Sequence, residues 1–343
     1  MKYFATLFDK NYLSRGIVLY NSLKSTEIDF KMHILCLDDY TYNYFTERKN
    51  QYQNLELTLI EELERYDTEL LGVKSSRKPV EYYFTMSPCW PLYLLTKFNL
   101  PHICTLDADI FFYSSPKNIF DYLNEYSIII TPHKFSPELV NLEKYGKFNV
   151  SFQIFKNDEI GFICLNKWRK ECLSWCEDKL DTENKRFADQ LYLDSWPNDF
   201  NNKVKILDDN YSGIAPWNIN KYNLINNGRG QLVIDGTPLV YYHFQHFKIL
   251  NQNYATNGFW LYDVKSTNSL KKLYFNYWNE IRKINTELFL IQDETLRLDL
   301  KKKIILTIIE DRKVFVKYFN RLFIFNAKLI PKFIRSLIKK IYA

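Results

Sequence analysis

Residues 105–116 read TLDADIFFYSSP and place two aspartates, Asp107 and Asp109, one residue apart between apolar runs. The flanking runs ICTL and IFFY have the composition of buried strands, so the pair is expected where a strand ends. Two carboxylates held close together repel each other unless a cation or strong hydrogen-bond donors lie between them. Oxygen ligands suit a hard divalent cation, so this stretch predicts a Mn²⁺ or Mg²⁺ site at a strand end.

A structural explanation of the pair remains open at this point. Alternate residues of a strand point to one face, which allows Asp107 and Asp109 to converge on one object. However, a short Asp-x-Asp pattern also arises by chance, and capping or solvated carboxylates produce it as well. The rest of the chain has to decide between a metal site and a solvated turn.

The segments before the motif predict an α/β fold. KYFATLF (2–8) and FKMHILCLDD (30–39) have the pattern of strands, and NYLSRGIVLYNSLKS (11–25) has helical apolar spacing between them. This order indicates a right-handed crossover in a nucleotide-binding type of sheet. A third strand is expected at NLELTLI (54–60). HICTLDADIFF (102–112) is then a central strand, and in open α/β sheets ligands bind outside the carboxyl ends of the strands.

The later segments continue the alternation of helices and strands. VEYYFTMSPCWPLYLLTKF (80–98) is helical in pattern, and Pro88 and Pro91 are expected to bend or interrupt this helix. The remaining runs are a strand at YSIIITPH (126–133), an amphipathic helix at KWRKECLSWCEDKL (167–180) and a late strand at PLVYYHFQHF (238–247).

Composition narrows the class of protein. Apolar residues make up 46% of the 343 residues and aromatic residues 17%, which excludes a disordered chain. No window reaches the roughly 18 uncharged apolar residues of a spanning helix, and the charged opening MKYFATLFDK predicts no secretory signal. The six cysteines are scattered, with Cys172 and Cys176 on one predicted helix. They are expected to be reduced thiols of a cytosolic protein.

Four further motifs add polar groups in a fixed order. FNVSF (148–152) begins a strand-like run, and ADQLYLDSWP (188–197) places Asp189 and Gln190 at the start of a helical segment. APWN (215–218) forms a Pro-Trp turn that is suited to wall a pocket. YYHFQHFK (241–248) brings two histidines and a lysine together late in the chain.

Together with EYYFTMSP (81–88) and TLDADIFFYSSP, these motifs give residues 1 to about 260 a collinear resemblance to bacterial GT-A glycosyltransferases. The chain resembles glycosyltransferase family 8 and a related group of nucleotide-diphospho-sugar transferases in particular. The resemblance implies a GT-A (Rossmann-like) fold with a mixed, mostly parallel sheet flanked by helices. It also implies metal-dependent transfer of a sugar, from a UDP-sugar by family habit, to a hydroxyl of a bacterial surface glycan of the lipopolysaccharide or capsule type. Retention of configuration is expected.

The resemblance assigns roles to individual residues. It implies that Asp107 and Asp109, with Ala108 between them, and His243 bind Mn²⁺ or Mg²⁺ and through it the donor. It places Asp189 and Gln190 beside the anomeric carbon as the catalytic pair. The other implied contacts to the nucleotide sugar are Thr6, Leu7, Phe8, Asp9, Tyr12, Arg77, Asn149, Val150, Ser151, Trp217, His246 and Lys248.

Two departures from the family pattern leave alternatives open. Family 8 usually ends H-x-x-G-x-x-K-P-W, whereas this chain has HFQHFKIL, so either His246 or Lys248 is the expected contact to the diphosphate. The family's arginine in the helix before the metal strand has no clear counterpart, and Arg77 or Lys78 is expected to replace it.

The charge of the chain is unevenly distributed. Residues 301–343 carry 12 Lys and Arg against Glu310 and Asp311, a net charge of +10, whereas the preceding 300 residues carry −4. We therefore expect a catalytic domain at 1–267 and a helical, basic amphipathic region at 268–343. Such a region suits an anionic membrane surface, which predicts a cytoplasmic protein bound peripherally to the inner face of the cytoplasmic membrane. The alternative is a helix packed on the core or on a second subunit of a homo-oligomer.

Two other functional classes remain as alternatives. One is a metal-dependent sugar-nucleotide phosphohydrolase or nucleotidyltransferase, and the other is a non-catalytic, membrane-associated binding module. The expected partners are a nucleotide sugar and a glycan or lipid-linked oligosaccharide acceptor. Nucleic acid is not expected, because the basic excess lies in a tail rich in Ile and Phe instead of across a groove.

Overall fold

The computed structural model of the chain describes residues 1–27, 29–209, 211–227, 231–251 and 254–291. These residues belong to two compact units, Met1–His243 and a second unit that begins at Phe244. Residues 301–343, and with them the predicted membrane-binding tail, lie outside the described residues. The division predicted after residue 267 stays a prediction. Within the described ranges, no helix has the length and apolar character required to cross a bilayer.

A seven-stranded sheet forms the centre of the first unit. Its strands, together with the short β5, are β1 (Lys2–Phe8), β2 (Phe30–Cys36), β3 (Leu55–Leu59), β4 (His102–Leu106), β5 (Ile110–Phe112), β6 (Ile128–Pro132), β7 (Phe148–Lys156) and β8 (Val204–Ile206). The strand order is β3-β2-β1-β4-β7-β6-β8. Only β7 is antiparallel to its neighbours β4 and β6, so the predicted mixed, mostly parallel sheet is confirmed.

Smaller sheets complete the strand content of the described residues. In the first unit these strands are β9 (Leu224–Asn226), β10 (Leu232–Ile234), β11 (Thr237–Pro238) and β12 (Tyr241–His243). β12 pairs antiparallel with β5. The second unit contains a hairpin of β13 (Lys248–Asn251) and β14 (Tyr254–Thr256), and then the helix Asn268–Ile291. The ring of Tyr277 in that helix stacks on Phe244 with 3.7 Å between centroids.

Helices flank the sheet of the first unit. They are α1 (Leu13–Thr26), α2 (Asp39–Glu47), α3 (Ile60–Tyr66), α4 (Thr68–Val73), α5 (Pro79–Phe98), α6 (Lys117–Phe120), α7 (Glu159–Ser174) and α8 (Trp196–Asp199). Aspartates cap three of them: the carboxylates of Asp38, Asp67 and Asp158 accept from the amides of Thr41, Leu70 and Gly161 at 2.7, 2.9 and 2.9 Å. The helix Asn268–Ile291 of the second unit is α9.

The main core lies where α5 and α7 pack against the sheet. Trp90 and Tyr93 of α5 and Trp168 of α7 are almost fully buried in one apolar cluster. The indole of Trp168 also packs edge-on against Trp196, with 5.4 Å between ring centroids. Burial of such large aromatic side chains contributes most of the stabilisation of a core of this kind.

Two details of the predicted elements are wrong, and a third is narrowed. Helix α5 runs from Pro79 to Phe98 without interruption at either internal proline, so of the two predicted effects only a bend stays a prediction. Helix α7 ends at Ser174, because Trp175 has an extended backbone, and Cys176 therefore lies beyond the helix. The late strand ends at His243, and residues 244–247 form a turn in which the Phe247 amide donates to the Phe244 carbonyl.

The sheet topology defines an edge where a ligand is expected. β1 and β4 are parallel neighbours at which the strand order reverses, so their carboxyl ends meet at a switch point. β7 runs the other way and therefore begins at this edge. The end of β1, the residues after β4 and the start of β7 thus lie side by side.

Acid is expected to destabilise the protein through His33, whose imidazole is 2% exposed on β2 and has no hydrogen-bond partner among the described residues. Burial lowers the pKa of His33 to about 4. The unfolded chain binds this proton near pH 6.5, so stability is lost as pH falls from about 6.5 to 4, by up to roughly 3 kcal/mol. We expect His33→Phe to reduce this loss in urea unfolding at pH 7 and pH 4.5. An unchanged pH dependence in the variant would contradict this assignment.

Candidate metal and donor site

The two aspartates of the sequence motif lie on a tight turn. β4 ends at Leu106, and the Ile110 amide donates to the Asp107 carbonyl at 3.3 Å as β5 begins. The side chain of Asp107 is 42% exposed and that of Asp109 is 11% exposed. The pair therefore converges through a turn, and not through alternation along a strand as the sequence suggested.

His243, the last residue of the first unit in the sequence, lies beside this pair. β12 pairs with β5 in a register that sets His243 opposite Ile110. The Nε2 atom of His243 lies 3.0 Å from Oδ1 of Asp109 and 3.6 Å from Oδ2 of Asp107. Ligand atoms of the three residues lie within 4.8 Å of one another, and no other such group occurs in the described part of the chain. Two carboxylates and an imidazole fit a hard divalent cation.

Electrostatics show that this cluster is short of positive charge. Desolvation raises the pKa of Asp107 to about 6, with Asp109 adding to the shift and His243 opposing it. Burial also acts to raise the pKa of Asp109, but His243, Arg15 and a backbone hydrogen bond together outweigh it, and the net pKa is lowered. One carboxylate is thus stabilised by the imidazole, while the other lacks an equal partner. A bound cation would supply the missing charge.

A residue that the sequence interpretation missed contributes a permanent charge near Asp109. The guanidinium of Arg15 is 7% exposed in α1, and its charge acts to lower the pKa of Asp109. It lies 4.5 Å from the ring centroid of Tyr12. The sequence signal for Arg15 was its position three residues after Tyr12 at the start of α1, because residues three apart on a helix share one face.

The start of β7 lies directly beside residues 107–109, the turn between β4 and β5 that we call the metal turn. The Asp107 amide donates to the Ser151 carbonyl at 3.0 Å. Asn149 is 3% exposed, and its Oδ1 accepts from both the amide and the hydroxyl of Ser151. Its Nδ2 donates to the Thr131 carbonyl at 3.2 Å. Asn149 and Ser151 are therefore fixed next to Asp107, and the partly buried Val150 lies between them.

Asp189 is the most deeply buried acid near the cluster. It is 2% exposed, and its Oδ2 has no hydrogen-bond partner among the described residues. Burial raises the pKa of Asp189 to about 7, a hydrogen bond with Ser87 opposes the shift, and Asp107 adds to it. The backbone is held by Trp168, whose Nε1 donates to the Asp189 carbonyl at 2.8 Å. Ala188 before it has a positive φ of 46°. A buried acceptor held in this way is suited to a ligand hydroxyl.

Gln190 follows at the start of a short helical segment, as the sequence predicted. Its Nε2 donates to the Tyr145 carbonyl at 2.9 Å. This bond fixes the orientation of the amide and uses one of its donors.

The opening strand contributes both core and edge residues. Thr6 is buried and Leu7 is partly buried, and the ring of Phe8 packs so closely on Gly16 that a Cβ there would come within 2.2 Å of it. Asp9 lies beyond the strand, and its carboxylate accepts from Asn11.

Tyr12 is the exposed aromatic of this edge. Its side chain is 45% exposed. Partial desolvation raises the pKa of Tyr12, Arg15 opposes the shift, and Asp109 and Asp107 add to it. The phenol therefore lies within electrostatic reach of Asp107 and Asp109.

Trp217 is buried against the third candidate ligand. It is 4% exposed, and its ring meets the His243 imidazole edge-on, with 5.3 Å between centroids and 85° between planes. The sequence interpretation expected a pocket wall for the donor. The structure shows its contact with the histidine of the cluster, and its contact with the donor stays a prediction.

Three predicted residues are not placed at the cluster by the structure. The Arg77 guanidinium donates to the carbonyls of Cys172 and Leu173 at the end of α7, and its alternative Lys78 forms an ion pair with Glu81. His246 and Lys248 belong to the second unit, which is described by itself. Their roles at the diphosphate stay predictions.

Comparison with known proteins was made against families, relatives and solved structures. No family model matches the chain. The uncharacterised protein YfnD of Bacillus subtilis (strain 168) is 28% identical over 277 residues, which is 80% of this chain and 87% of YfnD. The uncharacterised YfnF of the same strain is 28% identical over 258 residues, which is 73% of this chain and 83% of YfnF.

The solved structures identify the fold. The galactosyltransferase LgtC in complex with donor and acceptor sugar analogs has a TM-score of 0.50 and 12% identity, over 82% of this chain and 95% of that chain. An active-site mutant of LgtC gives a TM-score of 0.50 and 12% identity, over 81% and 94%. An identity this low supports the fold alone. Together with the sheet described above, these matches show that the chain has the GT-A fold.

Proposed function

We propose that this protein is a metal-dependent glycosyltransferase that moves a sugar from a nucleotide-diphosphate donor, with a UDP-sugar preferred, to a hydroxyl of a growing bacterial surface glycan. The observation that carries the proposal is the Asp107, Asp109 and His243 cluster at the carboxyl edge of the sheet, with the buried acceptor of Asp189 electrostatically linked to it. The GT-A fold and the likeness to the galactosyltransferase LgtC support it.

Different residues of the chain would bind different parts of the donor. Asp107, Asp109 and His243 would hold a Mn²⁺ or Mg²⁺ ion. When bound, such an ion supplies Lewis-acid stabilisation to the departing diphosphate. Tyr12 would stack on the base, and the Asn149 to Ser151 segment, whose Ser151 carbonyl accepts from the Asp107 amide, would contact the donor sugar. We also propose that either His246 or Lys248 adds positive charge at the leaving oxygen.

Asp189 and Gln190 act at the sugar in the proposed mechanism. The Oδ2 atom of Asp189 accepts a hydrogen bond from a sugar hydroxyl, which its burial without a partner favours. Gln190 presents its amide oxygen to the face of the sugar opposite the leaving group. A neutral amide is a poor nucleophile, so we favour attack by the acceptor on the same face as the departing phosphate. The C1–O bond to phosphate breaks, the C1–O bond to the acceptor forms, and the acceptor proton passes to the phosphate oxygen.

The setting of the reaction is also part of the proposal. The net charge of +10 on residues 301–343, interleaved with Ile, Leu and Phe, favours binding to an anionic membrane surface. A lipid-linked oligosaccharide acceptor would be found at the inner face of the cytoplasmic membrane. Peripheral attachment there would bring the acceptor hydroxyl to the enzyme.

A product analysis tests the function against its main alternative. The full-length protein is incubated with UDP-glucose, UDP-galactose and UDP-N-acetylglucosamine, with Mn²⁺, and with or without a panel of alkyl glycosides. We expect UDP and a new glycoside, with release of UDP that depends on the acceptor. Formation of UMP and sugar 1-phosphate would identify a phosphohydrolase instead. Full UDP-sugar recovery in every reaction would contradict enzymatic transfer from these donors.

A further inference from the structure

The position of His243 depends on a segment about 30 residues earlier in the chain. The His243 amide donates to the Ile214 carbonyl at 2.8 Å, and Ile214 forms a parallel bridge with Tyr242. The other edge of β12 pairs with β5. The backbone of His243 is therefore held between β5, which follows the metal turn, and Ile214.

The indole of Trp217 restricts the orientation of the His243 ring together with the 3.0 Å contact of Nε2 to Asp109. Trp217 meets the His243 ring edge-on at 5.3 Å between centroids, and it meets the His133 ring at 5.0 Å and 67°. His133 follows directly after β6. Trp217 is thus wedged between two imidazoles and limits how the His243 ring can rotate toward or away from the aspartates.

A single amide closes the turn that carries Trp217. Asn218 is fully buried, and its Oδ1 accepts from the Ala215 amide at 3.0 Å. Its Nδ2 donates to the carbonyls of His133 and Gly213, each at 2.8 Å. The turn 215–218 is in this way tied to the end of β6 and to the segment that pairs with β12.

Other contacts leave little freedom in the same turn. The Trp217 carbonyl accepts from both the amide and the hydroxyl of Ser136 at 3.1 and 3.2 Å. Gly213 has φ +66°, and a Cβ there would lie 2.7 Å from Cγ2 of Thr131. An aspartate in place of Asn218 would keep the acceptor but would face two carbonyl oxygens without donors. The pattern of contacts requires an amide at this position.

We propose that Asn218 is a positioning residue for metal binding, which fixes the turn 215–218 so that Trp217 holds His243 toward Asp107 and Asp109. The proposal rests on the metal-dependent function proposed above. Groups that orient a ligating histidine typically change metal affinity about 10- to 100-fold when they are removed. The role acts through His243 and needs no contact between Asn218 and the substrate.

The test compares two asparagines that brace turns at opposite ends of the sheet. Asn157 donates from Nδ2 to the Leu100 carbonyl at 2.7 Å, near the start of β4 and away from the metal turn. Binding of Mn²⁺ alone is measured by electron paramagnetic resonance on full-length wild type, Asn218→Ala and Asn157→Ala, together with each melting temperature. We expect roughly 10- to 100-fold weaker Mn²⁺ binding for Asn218→Ala and wild-type affinity for Asn157→Ala, with lower melting temperatures in both.

A second pair of variants keeps the test decisive if Asn218→Ala does not fold. Trp217→Phe retains an aromatic edge against His243 and is expected to bind Mn²⁺ within about threefold of wild type, whereas Trp217→Leu should lose about tenfold or more. Equal Mn²⁺ affinity in wild type, Asn218→Ala and Trp217→Leu would overturn the inference and leave the proposed function standing. Equal losses in Asn218→Ala and Asn157→Ala would reduce it to a general effect of stability and would also overturn it. Absence of Mn²⁺ binding by the wild type would overturn the metal requirement itself.

Discussion

Replacement of Asp109 by asparagine is expected to abolish sugar transfer almost completely. Its Oδ1 lies 3.0 Å from Nε2 of His243, and its side chain is only 11% exposed, so it is the most enclosed oxygen ligand of the cluster. A bound cation contributes several kcal/mol to stabilising the charge of the leaving group, and each 1.36 kcal/mol is tenfold in rate. Loss of this ligand should therefore lower the turnover number by about 10³-fold or more.

The design separates loss of the metal site from loss of the fold. Asparagine has nearly the same shape as aspartate, so the metal-free melting temperature should change by only a few degrees. Asp208→Asn is the matched control, because that side chain is 83% exposed and lies 3.7 Å from Lys205. The control should transfer sugar at the wild-type rate. A loss of less than about tenfold in Asp109→Asn corresponds to less than about 1.36 kcal/mol of transition-state stabilisation. Such a small loss would contradict the metal assignment.

Replacement of Asp189 by asparagine should reduce transfer and stabilise the protein at the same time. The carboxylate is buried with an unpaired Oδ2, and hydrogen bonds to charged groups contribute about 1.5–3 kcal/mol, so the loss of rate should be about 10²-fold. Burial raises the pKa of Asp189 to about 7. The folded state then binds more protons than the unfolded state between about pH 4 and 7, so wild-type stability falls as pH rises through this range.

Urea unfolding at pH 5 and pH 8 measures the second effect. We expect the wild type to lose stability between these values and Asp189→Asn to lose less, because the variant has no carboxyl group to ionise. Asp208→Asn again serves as the control and should follow the wild type. A variant that is less active but has an unchanged pH dependence of unfolding would show that Asp189 is not a buried acid of this kind.

The sequence identified the residues of the cluster better than it identified their geometry. The run of apolar residues before Asp107 marked the end of β4 correctly, because a buried strand needs such a composition. It did not show that a turn separates the two aspartates, because the apolar residues on both sides of the pair have the composition of one continuous strand. His243 was reached only by resemblance, because its register with Ile110 joins residues more than 130 positions apart.

Two residues that the resemblance assigns to the donor have other partners in the structure, and their roles at the donor stay predictions. Arg77 was considered for the diphosphate, but its Nη2 donates to the carbonyls of Cys172 and Leu173 at the end of α7. Trp217 was considered for the sugar, but it packs on His243. Contacts of this kind between distant segments depend on the packing of whole elements. Periodicity and local motifs do not contain this information.

Calorimetric titration of the full-length protein with UDP and GDP, with and without Mn²⁺, tests the central claim most directly. The account predicts that one nucleoside diphosphate binds only when Mn²⁺ is present, and that Asp109→Asn abolishes this binding while Asp208→Asn retains it. Binding of neither nucleotide under any of these conditions, or equal binding with and without the ion, would contradict a metal-dependent nucleotide-sugar transferase.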